Sequence, residues 1–180
     1  MNEMKKLHLG CGEKHINGFI NIDTRDLNSV DIIEDVKNLK SFDNNSIDLI
    51  YASHILEHIT RIEYTDVLKR WYNLLNSNGI LRIAVPDIEK VFQHYQINGD
   101  LRQLRGFLWG GQSHGFNYHY CGWDFKTLEE DLLKIGFKEV KRYDWRETEH
   151  NDIDDFSQCY LPHMDKENGM LMSLNIEAKK

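Results

Sequence analysis

The chain has 180 residues, 41% hydrophobic and 28% charged, with 29 acidic against 22 basic residues and a net charge of -7. Such a length can bury one core without staples, and an acidic balance with no basic block argues against nucleic acid as a partner. The three cysteines, Cys11, Cys121 and Cys159, are widely spaced and form no Cys-x-x-Cys pair, which points to reduced thiols in a cytoplasmic protein rather than a disulfide framework. No run is apolar and long enough for a signal peptide or membrane span. Residues 1–180 therefore read as a single domain.

Lys6 to Gly10 reads as a first strand running into the turn Gly10-Cys11-Gly12, where the lack of Cβ lets backbone N–H groups approach a ligand. Gly18 to Asp23 alternates apolar and polar residues and reads as a second strand. Only about nine residues separate the two, fewer than a helical crossover takes, so the first crossover is expected to be reduced to a loop. Val30 to Val36 offers a short third strand, and Ile47 to Ser53 a fourth of the apolar kind buried on both faces.

Thr60 and Glu63 have the spacing of a capping box, followed by Tyr64, Val67, Leu68, Trp71, Tyr72 and Leu75 at helical spacing and a stop at Asn76 to Gly79. Ile80 to Val85 is a fifth strand. Asp87 can cap the next helix, with Ile88, Val91, Phe92 and Tyr95 as its apolar face and Asn98-Gly99 as its end. A shorter helix carries Leu101, Leu104 and Leu108. Residues 107–125 then crowd aromatic residues, glycines and histidines without a clear period, an aromatic loop laid over the active site. Thr127 and Glu130 suggest a second capping box before Leu128, Leu132 and Ile135. Two late strands, Phe137 to Trp145 and Leu171 to Ala178, are joined by an acidic loop around residues 152–155. Strands alternating with helices predict an α/β, Rossmann-like fold: a mostly parallel sheet with helices on both faces.

In such a sheet Gly10-Cys11-Gly12, Asp23 and Asp35 end successive strands and share one rim, where ligands bind. Glycines admit a close ligand, one carboxylate can accept from vicinal hydroxyls, and a second from an exocyclic amine. The set describes an adenosine-shaped ligand. As single residues, acids after strands are as readily turn residues or helix caps.

The stretches Leu-His-Leu-Gly-Cys-Gly, Asn-Ile-Asp, Glu-Asp-Val, Ile-Asp-Leu-Ile-Tyr-Ala-Ser-His-Ile-Leu-Glu-His-Ile and Asn-Gly-Ile-Leu-Arg-Ile-Ala-Val-Pro-Asp resemble the successive motifs of class I S-adenosylmethionine-dependent methyltransferases. The likeness is to the short bacterial type-11-like group, over residues 6 to 87 and again from Leu128 to Val140. The resemblance implies a seven-stranded sheet and S-adenosyl-L-methionine as cofactor, with S-adenosyl-L-homocysteine as product. By it, Gly10, Cys11 and Gly12 line the methionine part of the cofactor, and Asp23 binds the ribose. Asp35 and the backbone of Val36 meet the adenine, and Ser53 and His54 line the cofactor after the fourth strand. His8 stands where the group usually has an acid, and the helix usual after the glycine turn is replaced here by a loop.

The expected reaction is methyl transfer to an O or N nucleophile of a small-molecule or glycan-type acceptor, which requires no metal. His54, His58, His119 and His114 are candidate proton acceptors. Aromatic faces in 107–125 suit either a flat or sugar-like acceptor or the sulfonium itself, and equally a plain hydrophobic flap. Two alternatives compete. His54-Ile55-Leu56-Glu57-His58 fits His-x-x-Glu-His, the pattern of a zinc hydrolase. A catalytically inactive cofactor-binding protein is the other. A dinucleotide oxidoreductase fits poorly, because His15 takes the third glycine position and Asp23 comes too early.

Overall fold

The computed structural model describes residues 4–113 and 115–180. The elements follow the chain as β1 (Lys6–Leu9), β2 (Ile20–Asp23), β3 (Ile32–Ile33), β4 (Ile47–Ser53), α1 (Tyr64–Leu74), β5 (Leu75–Pro86), α2 (Ile88–Asn98), α3 (Arg105–Trp109), α4 (Phe125–Ile135), β6 (Glu139–Arg142), β7 (Tyr160–Leu161), β8 (Met170–Leu171) and β9 (Ser173–Lys179). Among the described residues, seven strands form one sheet in the order β3-β2-β1-β4-β5-β9-β6. The first five pair in parallel, while β9 runs antiparallel to both β5 and β6. β7 and β8 form a separate antiparallel pair. This is the mostly parallel α/β sheet that the alternation of strands and helices predicted. Chain order reverses between β1 and β4, which makes their carboxyl ends the switch point for a ligand.

One face of the sheet is built from alternate apolar positions. Leu7, Leu9, Ile50, Ala52, Leu81, Ile83, Val85, Leu174 and Ile176 pack with Leu68 and Trp71 of α1 and with Leu128 and Leu132 of α4. Trp71 is fully buried, and its indole N–H donates to the Val36 carbonyl at 2.8 Å, so α1 ties down the segment after β3.

The opposite face carries a row of polar residues in register: Asn21 beside His8, His8 beside Tyr51, Tyr51 beside Arg82, and Arg82 beside Glu177. Asn21, His8, Tyr51 and Arg82 are all buried. Helices on both faces were expected, but the middle of this face is covered by irregular chain, with Ile16 and Phe19 packing on Leu49 and Tyr51 and the His150 ring 4.1 Å from that of Tyr51.

The described residues 10–19 form turns and no helix. Asn21 holds them in place. Its side-chain carbonyl accepts from the Ile16 N–H at 2.9 Å, and its amide donates to the carbonyls of Ile16 and Phe19 and to Asp31.

Several local expectations are corrected. Thr60 and Glu63 do not box the start of α1: the Thr60 hydroxyl donates to the Glu63 carboxylate, and Glu63 itself is the N-cap without a side-chain bond. α1 stops at Leu74 and β5 begins at once, so residues 75–79 extend the strand rather than close the helix. In α2, capped by Asp87 as expected, Phe92 and Tyr95 are exposed while Val91 and His94 are buried, because the helix packs on α3 and β8 rather than flat on the sheet. The box that opens α4 is Asp124 with Thr127, not Thr127 with Glu130, since Asp124 accepts from the Thr127 N–H at 2.8 Å. The third strand shrinks to Ile32–Ile33.

Candidate functional site

The glycine turn leaves β1 with Gly10 at φ +62° and Gly12 at φ +56°, left-handed values that a side chain disfavours. A Cβ on Gly10 would stand 2.0 Å from Cδ1 of Ile55, so this glycine is also required by close packing. Cys11 between them donates its N–H to the Ile22 carbonyl at 3.0 Å. Burial pushes its thiol up to about 12, with Asp23 adding to the shift, so it stays protonated.

Asp23, at the end of β2, is buried. Its Oδ2 accepts the Gly12 N–H at 2.9 Å, and its Oδ1 accepts the Arg25 N–H at 2.9 Å. The Arg25 guanidinium adds bonds of 3.0 Å from Nε to Oδ1 and 3.2 Å from Nη2 to Oδ2. Burial opposes the charge of Asp23, but these donors outweigh it and hold the carboxyl below its usual range. Asp35 follows β3 and accepts the Lys37 N–H at 2.9 Å. Ser53 ends β4 with a buried hydroxyl that makes no hydrogen bond, and His54 takes the left-handed φ of +52° as the chain turns off the sheet.

These residues meet in one place. A cavity of about 700 Å³ opens at the carboxyl ends of β1, β2 and β4, and Gly10, Cys11, Gly12, Asp23, Asp35, Val36, Ser53, His54 and His58 all line it. Its size suits a small-molecule ligand. Phe116 and Asn117 reach it from the aromatic segment, as do Asp154, Asp155 and Phe156 from the acidic loop. The rest of residues 107–125 behaves less like a flap: Trp109 belongs to α3, and Trp109, Tyr118 and Tyr120 stay exposed. His114 lies outside the described residues.

Beside the cavity, residues 54–58 do not form the helix that a His-x-x-Glu-His zinc site needs. They hold one left-handed residue and a single 3-10 turn over Leu56–His58. His54 turns away to the Ser173 hydroxyl, 3.1 Å from Nε2. Its Nδ1 sits 3.2 Å from Glu57 Oε1 without the alignment of a hydrogen bond. Glu57 is fully buried. Burial alone would raise its carboxyl, but His54, then His58 and His119, draw it below the usual range. His119 is half-buried and its imidazole is lowered, first by desolvation, with Glu57 pulling the other way.

A model of the methyltransferase domain family matches residues 17–83. The match takes in β2 to β5 and so the strand ends bearing Asp23, Asp35, Ser53 and His54. Over this span the chain is similar to the methyltransferase domain family. Three solved structures illustrate the shared fold. A SAM-dependent methyltransferase from Archaeoglobus fulgidus is 16% identical, with a TM-score of 0.61 over 98% of this chain and 86% of that one. A methyltransferase from Mesorhizobium loti is 15% identical, with a TM-score of 0.59 over 100% and 94%. The 1,6-didemethyltoxoflavin-N1-methyltransferase of Burkholderia thailandensis, solved with 1,6-didemethyltoxoflavin and S-adenosylhomocysteine, is 14% identical, with a TM-score of 0.58 over 97% and 70%. Comparison with curated protein sequences gives no match.

The matched span starts after the glycine turn, since Gly10-Cys11-Gly12 precedes it. Between the turn and β2 the chain is irregular and forms no helix. Sequence reasoning missed Arg25 as the partner of Asp23, and it placed no site residue in the acidic loop. The signal was there, since Asp154 and Asp155 precede an aromatic residue, but nothing in the local pattern says that this loop folds back onto β4, where the Tyr51 hydroxyl donates to Asp155. Among the described residues, no helix is long and apolar enough to cross a membrane.

Proposed function

We propose that this protein moves the methyl group of S-adenosylmethionine to an oxygen or nitrogen nucleophile of a small-molecule or glycan-type acceptor bound beside Phe116 and Asn117. The observation that carries the reading is that Gly10 to Gly12, Asp23, Asp35, Val36, Ser53 and His54, drawn from four strand ends, all line one cavity. The residues present fit the cofactor. Asp23 and Asp35 can accept from ribose hydroxyls and from an adenine amine, and Ser53 offers a buried hydroxyl with no partner. The lining holds Glu13, Asp23, Asp35, Asp154 and Asp155 against Lys14, Arg25 and Lys37, an acidic balance that suits a cationic ligand.

When bound, S-adenosylmethionine supplies a methyl group already activated by the positive sulfur. The chain's own part is alignment and exclusion of water. Gly10 and Gly12 let the backbone close on the cofactor. Asp23, held by the Gly12 N–H, fixes the distance between the ribose end and the glycine turn. Phe116 and Asn117 line the cavity and can meet the acceptor. His58 lines it and, with Nδ1 on the Tyr118 carbonyl, has Nε2 free to take a proton from an acceptor, while His54 is held by Ser173.

Calorimetric titration with S-adenosylhomocysteine tests the reading. Saturable binding with one site per chain is expected, together with turnover of methyl-labelled cofactor on a panel of hydroxyl and amine acceptors. No binding at millimolar ligand overturns it.

A further inference from the structure

The most unusual group in the molecule is Glu57. It is fully buried, and neither carboxylate oxygen has a hydrogen-bond donor. A buried carboxylate without donors is costly, and such groups are paired or coordinate a metal. Around it stand His58 and His119, whose rings approach edge to face with centroids 4.8 Å apart.

Their tautomers are fixed from outside. Nδ1 of His58 lies 3.1 Å from the Tyr118 carbonyl, and Nδ1 of His119 lies 2.9 Å from the Phe107 carbonyl. A carbonyl only accepts, so both Nδ1 atoms carry the proton and, in the neutral rings, both Nε2 atoms are left with a lone pair. This is the outer hydrogen-bonding pattern of metal-ligating histidines. One donor atom from each of Glu57, His58 and His119 lies within 4.8 Å of the others. Ligands about 2.0–2.1 Å from a tetrahedral zinc stand about 3.3 Å apart, so small side-chain shifts close the set.

We propose that Glu57, His58 and His119 form a binding site for a divalent transition-metal cation of the zinc type, with open positions facing the cavity lined by His58. Two imidazoles and one carboxylate favour such a cation over magnesium, which prefers a shell of oxygens. The site joins two distant segments, and the backbone already fastens them: the Glu57 carbonyl accepts from the Tyr120 N–H at 2.8 Å. His54, close to Glu57 Oε1 and held at its other nitrogen by Ser173, positions the carboxylate from the far side. An acceptor with an oxygen or nitrogen donor can complete the coordination; this last point rests on the cavity being the cofactor site.

The test uses the 180-residue chain, stripped with a chelator and dialysed. Zinc is titrated by calorimetry, and cobalt is titrated by its visible absorption, which is strong only in a four- or five-coordinate site. One equivalent of zinc with micromolar or tighter affinity is expected, at least a hundredfold weaker in His119→Ala and Glu57→Gln and unchanged in His15→Gln. Absence of stoichiometric binding, a cobalt spectrum like that of the free aqueous ion, or affinity that survives His119→Ala overturns the site. If His119→Ala does not fold, the wild-type cobalt spectrum and zinc stoichiometry decide the matter alone. Binding of S-adenosylhomocysteine is measured on the same samples: if it persists without metal binding, only the metal site fails, and if it is absent, the proposed function fails.

Discussion

Asp23 and Arg25 form a closed pair at the mouth of the cavity, with the guanidinium on both oxygens of the carboxylate at 3.0 and 3.2 Å. Together with the N–H groups of Gly12 and Arg25, this fills about four acceptor positions, all that a carboxylate offers. A ribose reaches Asp23 only when Arg25 swings aside. Arg25 is half-exposed, so the pair contributes little, about 0.2–1 kcal/mol. Arg25→Ala should therefore tighten S-adenosylhomocysteine by up to about fivefold, as 1.4 kcal/mol is tenfold. Asp23→Ala should weaken it by about 1.5–3 kcal/mol, the range for a hydrogen bond to a charged group. Calorimetry on both variants checks the pair. Weaker binding in Arg25→Ala would mean that Arg25 touches the ligand rather than competing with it.

Gly10 and Ile55 make a second prediction. At φ +62° an added methyl group is strained by about 1–2 kcal/mol, and it also collides with Cδ1 of Ile55. Gly10→Ala should lower stability by more than the backbone strain alone. Adding Ile55→Ala should restore part of the Gly10→Ala loss in a double-mutant cycle in urea, because it removes the collision and leaves the strain. Strictly additive losses would show that the contact does not matter.

Asn21 replaces a helix. Its buried amide holds Ile16, Phe19 and Asp31, and its carbonyl meets Nδ1 of His8 at 3.0 Å. Asn21→Ala strands several buried groups at once, each costing about 1–3 kcal/mol. Stability should fall by about 2–4 kcal/mol, and S-adenosylhomocysteine should bind more weakly as the turn loses its support. Urea titration and calorimetry read the two effects. A loss below about 0.5 kcal/mol, the size of an ordinary surface substitution, would sink the assignment.

The same residue shows where sequence reading stops. The mostly parallel sheet was legible, because strands alternating with helices are a local signal, and parallel topology brings the strand ends near Gly10, Asp23, Asp35 and Ser53 together. In Asn21-Ile22-Asp23 the asparagine reads as the solvent side of an alternating strand. So do His8 and Arg82. All three are buried, because residues 10–19 and 143–160 fold over that face, and coverage by irregular chain has no periodicity to read. The pairing of Glu57 with His119 was hidden for a related reason. The two lie far apart in the chain, and the His-x-x-Glu-His spacing pointed to His54 instead.

That polar face should also set the acid limit of stability. His150 lies among Arg82, 3.1 Å from its Nε2, and Tyr51, His8, Glu149 and Asp155. Burial first, and the Arg82 guanidinium second, push its imidazole down to about 4. In the unfolded chain it titrates near about 6.5. Between those two values the unfolded state binds the extra proton, so stability rises with pH there. The contribution is fully present above about pH 6.5, lost progressively as pH falls toward 4, and worth about 3 kcal/mol at 1.36 kcal/mol per unit. His8, also lowered by burial, slopes the same way. Urea unfolding at pH 7.5, 6, 5 and 4.5 should show this fall, and His150→Gln should flatten it while leaving the part due to His8. A profile that is flat from pH 7.5 to 5 in the wild type would mean that His150 is not held neutral against Arg82.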